Sequence, residues 1–291
     1  MLAFAPMSEP DPDRFEQHVV TARDGASFAF CLHGGHLLSF VPAGGREALF
    51  VSPRARFETG AAIRGGAPVI FPQFSSNGPL PTHGFARTSR FRLDASGVRD
   101  DGAAFARLVL DDDALAPRAR ELFPFRFHLA IELVAAGATL TQSLVVENRD
   151  RAPFGFTGAL HTYFAVDDVR TTELHGLDGA AYFDKALDRE GTVAGALRFP
   201  GEVDRVCRSS APIAIDDGKR TIALSVEGFC DWVVWNPGDA KAAALADLGA
   251  DAGRRFVCAE AAVVSRPVEL APGGVWCGRQ TIEVRRDPRS G

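Results

Sequence analysis

Two residue types that transfer protons near neutral pH stand in apolar, strand-like segments of this chain. His161 lies in LHTYFAV, residues 160–166, where apolar and aromatic neighbours would desolvate its ring and fix its orientation. Glu260 lies in FVCAEAA, residues 256–262, where burial without a partner would cost free energy or raise the carboxyl pKa. Taken alone, His161 is better explained as a core imidazole bonded to a backbone carbonyl, whereas a functional role is favoured for Glu260. Both residue types can serve general acid–base chemistry.

A second polar group lies in the run 61–90, AAIRGGAPVIFPQFSSNGPLPTHGFARTSR, whose glycines and prolines break helix and long strand. It holds Arg64, Arg87 and His83. Neighbouring glycines let the backbone approach a ligand closely, and guanidinium groups present donors in a fork that suits carboxylate or phosphate. The run predicts the wall of a pocket for an anionic small molecule. Exposed surface arginines are the alternative.

Seven sequence blocks occur in one order over about residues 30–285: IRGGAPVIFPQF, PTHGFAR, LHTYFAV, GEVDRV (residues 201–206), VVWNP (233–237), FVCAEAA and GRQTI (278–282). In this combination the chain resembles the aldose 1-epimerase superfamily, and within it the glucose-6-phosphate 1-epimerase (hexose-6-phosphate mutarotase) family. Two positions depart from that pattern: AEAA replaces the EP pair of many relatives, and Thr82 stands where some carry a glutamine. A threonine hydroxyl is too short to span the gap that a glutamine spans.

The resemblance implies an isomerase that interconverts the α and β anomers of a hexose 6-phosphate without a metal or other cofactor. It implies that His161 is the general acid for the ring oxygen and Glu260 the general base for the C1 hydroxyl. It further implies a set of substrate-binding residues: Arg64 and Arg87 for the phosphate, His83 and Asp204 for the sugar, and Gln73 as a further candidate for contact with the substrate. From the residues alone, a surface loop histidine and a turn aspartate are the alternatives for His83 and Asp204. Trp235 and Phe74 are candidates for stacking on the sugar, with a place in the core as the alternative.

Short segments of period-two hydrophobicity recur from His18 onward, and 237–249 is the one segment with a helical pattern. Predicted elements include a strand at Glu47–Phe57, a hairpin after Arg87, and two strands within Pro124–Asp150. The pattern predicts an all-β fold. The resemblance implies the large twisted antiparallel sandwich of galactose mutarotase-like proteins, with the sugar site on a concave sheet face. We expect residues 1–14 to form a loose arm and residues 15–291 a single domain.

The composition of the chain limits the classes of partner that we expect it to bind. A net charge of −5 argues against nucleic acid, which is bound through dense basic patches. No apolar run is long enough to cross a bilayer, and the acidic N-terminal segment does not resemble a signal peptide. Five cysteines without metal-ligand spacing indicate reduced thiols in the cytoplasm. His33 and His36 could suggest a metal pair, but a structural role is favoured. We expect a cytoplasmic monomer with no membrane or metal partner.

Other functions remain open from the residues alone. A non-catalytic carbohydrate-binding sandwich would keep the pocket but would not need a buried acid–base pair. A glycoside hydrolase would need a second carboxylate opposite Glu260. An aldose 1-epimerase for unphosphorylated sugar would not need the arginine pair.

Overall fold

The computed structural model describes residues 15–249 and 251–286. The arm expected for residues 1–14 lies outside the described residues, as do residues 250 and 287–291 of the expected domain. None of the helices within the described ranges has the length and hydrophobicity that a bilayer crossing requires.

Strands dominate the described residues. In chain order they are β1 His18–Thr21, β2 Ser27–Cys31, β3 His36–Val41, β4 Val69–Ile70, β5 Arg92–Val98, β6 Ala104–Asp111, β7 Phe127–Ala136, β8 Thr139–Asn148, β9 Phe154–Leu160, β10 Tyr163–Ala165, β11 Glu173–His175, β12 Ala181–Asp184, β13 Arg189–Thr192, β14 Val203–Cys207, β15 Ile213–Asp216, β16 Arg220–Glu227, β17 Asp231–Asn236, β18 Phe256–Leu270 and β19 Val275–Arg286. The helices in these ranges are α1 Pro117–Leu122, α2 Gly238–Ala244, and short 3-10 segments at Ala86–Thr88, Asp112–Ala114, Val169–Thr171 and Ala252–Arg255.

The described strands form two eight-stranded sheets and one three-stranded sheet. The front sheet has the order β13-β12-β14-β17-β18-β9-β4, and β10 also pairs with β18. The back sheet has the order β11-β15-β16-β19-β8-β7-β6-β5, and the small sheet is β1-β2-β3. Every pairing between these strands is antiparallel. The predicted all-β antiparallel sandwich is therefore confirmed.

The core lies between the front and back sheets. Successive side chains of a strand point to opposite faces, so each strand gives the core every second residue. In β18 the core-facing residues are Val257, Ala259, Ala261 and Val263. The residues between them, including Glu260, point away from the back sheet. This alternation places Glu260 on the outer face of the front sheet. That face is also buried around Glu260, which is why the neighbouring residues of β18 are apolar on both faces.

Most local predictions are confirmed. The hairpin expected after Arg87 is β5–β6, and the two strands expected within Pro124–Asp150 are β7 and β8. The helical pattern in 237–249 corresponds to α2.

One predicted strand is wrong, and one helix was not predicted. Glu47–Phe57 is not a strand, because only isolated bridges form there, at Leu49 and Val51. The chain then turns where the amide of Ala55 donates to the carbonyl of Ser52 at 3.0 Å. The helix α1 was not predicted, because six residues without a buried apolar face give no helical period. Its one local signal is the proline in its first turn.

Candidate active site

His161, in the two-residue break between β9 and β10, faces Glu260 of the adjacent strand β18. The strand β9 pairs with β18 as far as Leu160 opposite Ala261, and β10 resumes the same register beyond His161. One step along that register puts His161 directly opposite Glu260, on the face away from the core. The imidazole Nε2 lies 3.3 Å from the carboxyl Oε1. Residues 99 positions apart in sequence are thus brought into contact by strand pairing.

The pair lies in a cavity of about 400 Å³. Six of the seven site residues that the sequence indicated line this cavity: His161, Glu260, Arg64, Arg87, His83 and Asp204. Trp235 and Phe74 line it as well. Phe74 also packs in a buried cluster with Ile70 and Val233, so it belongs to both the wall and the packing beneath it.

Burial controls the protonation of the pair. Glu260 is 1% exposed, and desolvation, with the nearby Asp204 charge, raises its pKa well above the ordinary value. Desolvation lowers the pKa of His161 well below its ordinary value, and the nearby charges of Arg87 and Arg64 act in the same direction. Among the described residues, neither Glu260 Oε2 nor His161 Nδ1 has a hydrogen-bond partner. The site therefore favours an uncharged pair with free hydrogen-bonding capacity on both groups.

Aromatic rings fix the orientation of the His161 imidazole. Tyr163 stacks on it with the ring centroids 5.0 Å apart and an interplanar angle of 10°. Trp235 packs edge-on at 5.9 Å, and His83 packs edge-on at 5.8 Å. Because these contacts cover several sides of the imidazole, rotation of His161 away from Glu260 would break them.

His83 is held by its backbone conformation and by one hydrogen bond. Its φ of 68° lies in the left-handed region, which non-glycine residues seldom adopt. Its Nδ1 accepts from the amide of Ser75 at 3.2 Å, so the neutral ring carries its proton on Nε2. Burial and the nearby Arg87 charge lower the pKa of His83 to about 3. His83 is therefore a neutral hydrogen-bond donor in this wall.

The two arginines have different partners. Arg64 Nη2 lies 3.1 Å from a carboxyl oxygen of Asp247, and its Nη1 donates to the Tyr163 hydroxyl at 3.2 Å. Arg87 Nη2 donates to the carbonyl of Thr82 at 2.7 Å. Within the described residues no carboxylate forms an ion pair with Arg87. The charge of Arg64 is thus neutralised within the protein, and that of Arg87 is not.

Asp204 and Lys185 form an ion pair at another side of the cavity, with 3.5 Å between Oδ2 and Nζ. Burial raises the pKa of Asp204. The Lys185 ammonium also lies 5.4 Å from the Phe74 ring centroid. Lys185 follows the short strand β12 and stands in no distinctive motif, so the sequence gives no signal for it.

Gln73 does not line the cavity, which corrects its assignment as a substrate contact. Its Nε2 donates to the carbonyls of Ser75 and Leu80, each at 3.1 Å, and its Oε1 accepts from the Leu80 amide at 3.0 Å. Both polar atoms of the Gln73 side chain are thus bonded to backbone groups of the loop that leads to His83. Thr82 is exposed, and its hydroxyl lies 2.9 Å from that of Ser76.

Sequence reasoning also missed Tyr163, Asp247 and Arg56, which line the cavity. Tyr163 could have been found, since it stands two positions after His161 and so shares its face of the strand. Asp247 follows α2 and gives no local signal. His33 and His36 are buried, and their Nε2 atoms donate to the carbonyls of Ala61 and Gly65 at 2.6 and 2.8 Å. These contacts agree with the structural role favoured for both histidines.

An antiparallel two-sheet sandwich with an imidazole and a carboxyl group in a polar cavity defines a galactose mutarotase-like protein. A crystal structure titled as a "putative mutarotase" from Salmonella typhimurium superposes with a TM-score of 0.81 and 31% sequence identity, over 90% of this chain and 88% of that one. A protein of Cenchrus ciliaris named "Putative glucose-6-phosphate 1-epimerase" is 36% identical over 92% of this chain and 84% of its own length. An Escherichia coli protein of the same name is 32% identical over 81% of this chain and 80% of its own length.

The family model for aldose 1-epimerase matches residues 16–283. The chain belongs to the aldose 1-epimerase family.

Proposed function

We propose that this protein is a glucose-6-phosphate 1-epimerase, which interconverts the α and β anomers of a hexose 6-phosphate. The observation that carries the proposal is the contact between His161 and Glu260 in a cavity that also holds Arg87, a cation without a carboxylate partner in the described structure. The names of the relatives support the same reaction. A non-catalytic sugar-binding sandwich is disfavoured, since binding alone does not require a buried carboxyl group beside a buried imidazole.

Anomer exchange needs two proton transfers at one carbon. The C1 hydroxyl loses its proton, the ring oxygen gains one, and the C1–O5 bond breaks to give an open-chain aldehyde. Rotation about C1–C2 presents the other face of the aldehyde, and the reverse transfers close the ring. Because O1 and O5 are both bonded to C1, the acid and the base must lie side by side. A separation of 3.3 Å between Nε2 and Oε1 meets this requirement.

In the proposed mechanism Glu260 takes the proton of O1 while His161 gives one to O5. The pair shares one transferable proton, which passes from Glu260 to His161 across their 3.3 Å contact before ring opening, and ring opening leaves a proton on Glu260 again. Burial favours the uncharged state, with Glu260 protonated and His161 neutral, and this is the state that accompanies the open chain. Closing the ring returns the proton to His161, so the pair is restored after every exchange. The reaction consumes no other reagent.

We propose that Arg87 and Lys185 bind the phosphate. Arg87 has no competing carboxylate among the described residues, whereas Arg64 is held by Asp247 and Tyr163. In this proposal Arg64 does not bind the phosphate directly, in contrast to the expectation from the sequence. It supports the cavity wall through its hydrogen bond to the Tyr163 hydroxyl. Lys185 can exchange Asp204 for a phosphate oxygen, which frees the Asp204 carboxylate to accept from sugar hydroxyls.

The remaining residues complete a sugar site. We propose that His83 donates from Nε2 to a sugar oxygen, because its Nδ1 is occupied by the Ser75 amide. Trp235 offers an aromatic face for the pyranose. All these residues belong to one chain, so the proposed reaction needs no second subunit.

The test is the exchange of glucose 6-phosphate anomers, measured by NMR saturation transfer with and without the protein. The function requires the protein to accelerate exchange, and an unchanged rate would end the proposal. Arg87→Ala tests the phosphate assignment. Hydrogen bonds to charged groups contribute about 1.5–3 kcal/mol, so KM for glucose 6-phosphate is expected to rise about 10–100-fold, with little change for free glucose. Arg92→Ala, which removes an exposed arginine outside the cavity, is the control. An equal loss on both sugars would remove Arg87 from the phosphate site.

A further inference from the structure

Gln280 links the back sheet to the two strands that carry His161 and Glu260. It lies in β19, is fully buried, and reaches across the space between the sheets. Its Oε1 accepts from the Thr162 hydroxyl at 2.8 Å. Its Nε2 donates to the carbonyl of Ala259 at 3.2 Å. One amide from the back sheet thus bonds two neighbouring strands of the front sheet.

The two partners of Gln280 stand next to the acid and the base. Thr162 follows His161, and Ala259 precedes Glu260. The same register that opposes His161 to Glu260 opposes Thr162 to Ala259, and the Ala259 amide donates to the Thr162 carbonyl at 3.2 Å. Because side chains alternate between faces, Gln280 lies directly behind the acid–base pair, on the core side of the same strands.

This part of the sheet departs from regular pairing. The amide of His161 donates to the carbonyl of Pro68 at 2.9 Å, in the register of the β4–β9 pairing, but the amide of Thr162 donates to the carbonyl of Leu160 at 2.9 Å instead of across the sheet to Ala259. The chain therefore departs from strand geometry at Thr162, next to His161. One ladder bond, from the Ala259 amide to the Thr162 carbonyl, remains between these two residues, and the Ala259 carbonyl accepts from Gln280. The Gln280 amide thus adds two hydrogen bonds at the point where the ladder is interrupted.

We propose that Gln280 is a positioning residue, which sets the separation and alignment of His161 and Glu260 from behind by holding Thr162 and Ala259 together. This inference rests on the proposed epimerase function. A buried amide in an apolar core is costly unless it is hydrogen-bonded, and both ends of Gln280 are bonded to the segments that carry the reacting groups.

Gln142 provides a matched control within the same core. It is the register neighbour of Gln280 on β8 and is also fully buried. Neither its Oε1 nor its Nε2 has a hydrogen-bond partner among the described residues. The two residues share type, sheet and burial, and they differ in the connection to the acid–base strands.

The test compares Gln280→Met with Gln142→Met. Methionine has a volume close to that of glutamine and removes both hydrogen bonds. We expect Gln280→Met to lower kcat for anomer exchange about 100-fold, since a displacement near 1 Å at a reacting group has an effect of about that size. KM for glucose 6-phosphate should stay unchanged, because the phosphate contacts are intact. Gln142→Met should leave both parameters unchanged.

Thr162 gives a second route if Gln280→Met does not fold. Thr162→Val removes the hydroxyl without changing the shape, and it should lower kcat in the same way, whereas Thr162→Ser should restore most of the loss. The double variant Thr162→Val with Gln280→Met should lose no more kcat than Gln280→Met alone, because both changes remove the same hydrogen bond between Thr162 and Gln280.

The outcomes separate the two proposals. Exchange absent in the unchanged protein defeats the epimerase function itself. Exchange present, with kcat retained in Gln280→Met, defeats the positioning role and leaves the function standing. An equal fall of kcat in Gln280→Met and Gln142→Met would show a general effect of core polarity and would also overturn the positioning role.

Discussion

Glu260 combines a proposed chemical role with a cost in stability. Its pKa is raised in the folded protein, chiefly by burial, above the value of 4.5 expected in an unfolded chain. At any pH above 4.5 the unfolded chain releases a proton that the folded protein retains. The folded state is therefore progressively disfavoured as pH rises from 4.5 towards the folded pKa. The protein retains at this position a residue that weakens it at neutral pH, as expected for a reacting group.

Replacement of Glu260 by glutamine should abolish anomer exchange and increase stability at pH 8. Glutamine has the same shape and no titrating proton, so the stability cost disappears. The gain relative to the unchanged protein should grow by up to about 1.4 kcal/mol per pH unit above 4.5. Urea unfolding at pH 4.5 and pH 8 measures it.

Glu227→Gln is the control for that experiment, because Glu227 is an exposed glutamate whose side chain is 75% accessible. A gain for Glu260→Gln that is the same at both pH values would contradict a raised pKa. Retained exchange in Glu260→Gln would remove Glu260 as the base.

At the scale of elements, local patterns were sufficient where a strand pairs with its neighbour in sequence. The hairpins β5–β6 and β7–β8 follow from alternation and a short turn. Glu260 is indicated by its own setting, a titratable residue in an apolar strand, whereas the apolar setting of His161 favours a core imidazole and its functional assignment depends on the resemblance. Their mutual contact was not readable from spacing, since it depends on the register of β9 and β10 against β18.

Residues brought to the cavity by topology alone could not be predicted. Lys185 follows β12 and Asp247 follows α2, and neither stands in a segment with an unusual composition. The resemblance implies that Gln73 contacts the substrate. Its side-chain amide bonds to the loop instead, since the backbone polar groups of Ser75 and Leu80 need partners that no regular element supplies.

The loop that carries His83 and Arg87 depends on Gly84. The φ of Gly84 is +70°, and a Cβ at this position would lie 2.2 Å from the carbonyl oxygen of Phe71. Gly84→Ala should therefore cost about 1–2 kcal/mol for the left-handed backbone and about 1–3 kcal/mol more for the clash. The displaced loop should also raise KM for glucose 6-phosphate. Thermal unfolding and anomer exchange measure the two effects.

Gly218 is the matched glycine for that comparison. Its φ is +78°, and no atom of the described residues lies within 4 Å of the Cβ position. Gly218→Ala should show the backbone cost alone and leave exchange unaffected. Equal losses of stability in the two variants would mean that the Phe71 carbonyl moves aside easily, and the loop would then not be fixed by Gly84.

At the scale of the whole molecule, the net charge of −5 and the cation-lined cavity act in opposite senses on a phosphorylated sugar. The overall charge gives weak repulsion at a distance, which salt screens within about 10 Å at ordinary ionic strength. Under the proposed function, recognition of the phosphate would therefore depend on contacts with Arg87 and Lys185 inside the cavity, and selectivity would be local.

The stability of the whole molecule should fall on acidification through pH 6.5. Burial lowers the pKa of His36 to about 4 and that of His83 to about 3, and it lowers the pKa of His161 as well. Below pH 6.5 the unfolded chain binds protons that these folded histidines do not bind, so unfolding is favoured as pH falls from 6.5 towards 4. Glu260 and Asp204, whose pKa values burial raises, act in the opposite sense, but they are two groups against three. The expected loss between pH 7 and pH 5 is about 2 kcal/mol for each of His36 and His83, with a further loss from His161, reduced by the contributions of the two carboxyl groups.

Urea unfolding at intervals from pH 7 to pH 5 tests this expectation, and His36→Gln isolates one of its terms. Glutamine keeps an amide donor for the Gly65 carbonyl that His36 Nε2 contacts at 2.8 Å, and it does not titrate. The dependence of the unfolding free energy on pH should become shallower by about 1.4 kcal/mol per pH unit near pH 5, the value for one proton. His175→Gln, at an exposed histidine of β11, controls for the loss of an imidazole as such. A slope that His36→Gln leaves unaltered would mean that His36 takes up its proton in the folded protein, and that the space between the small sheet and Gly65 admits water.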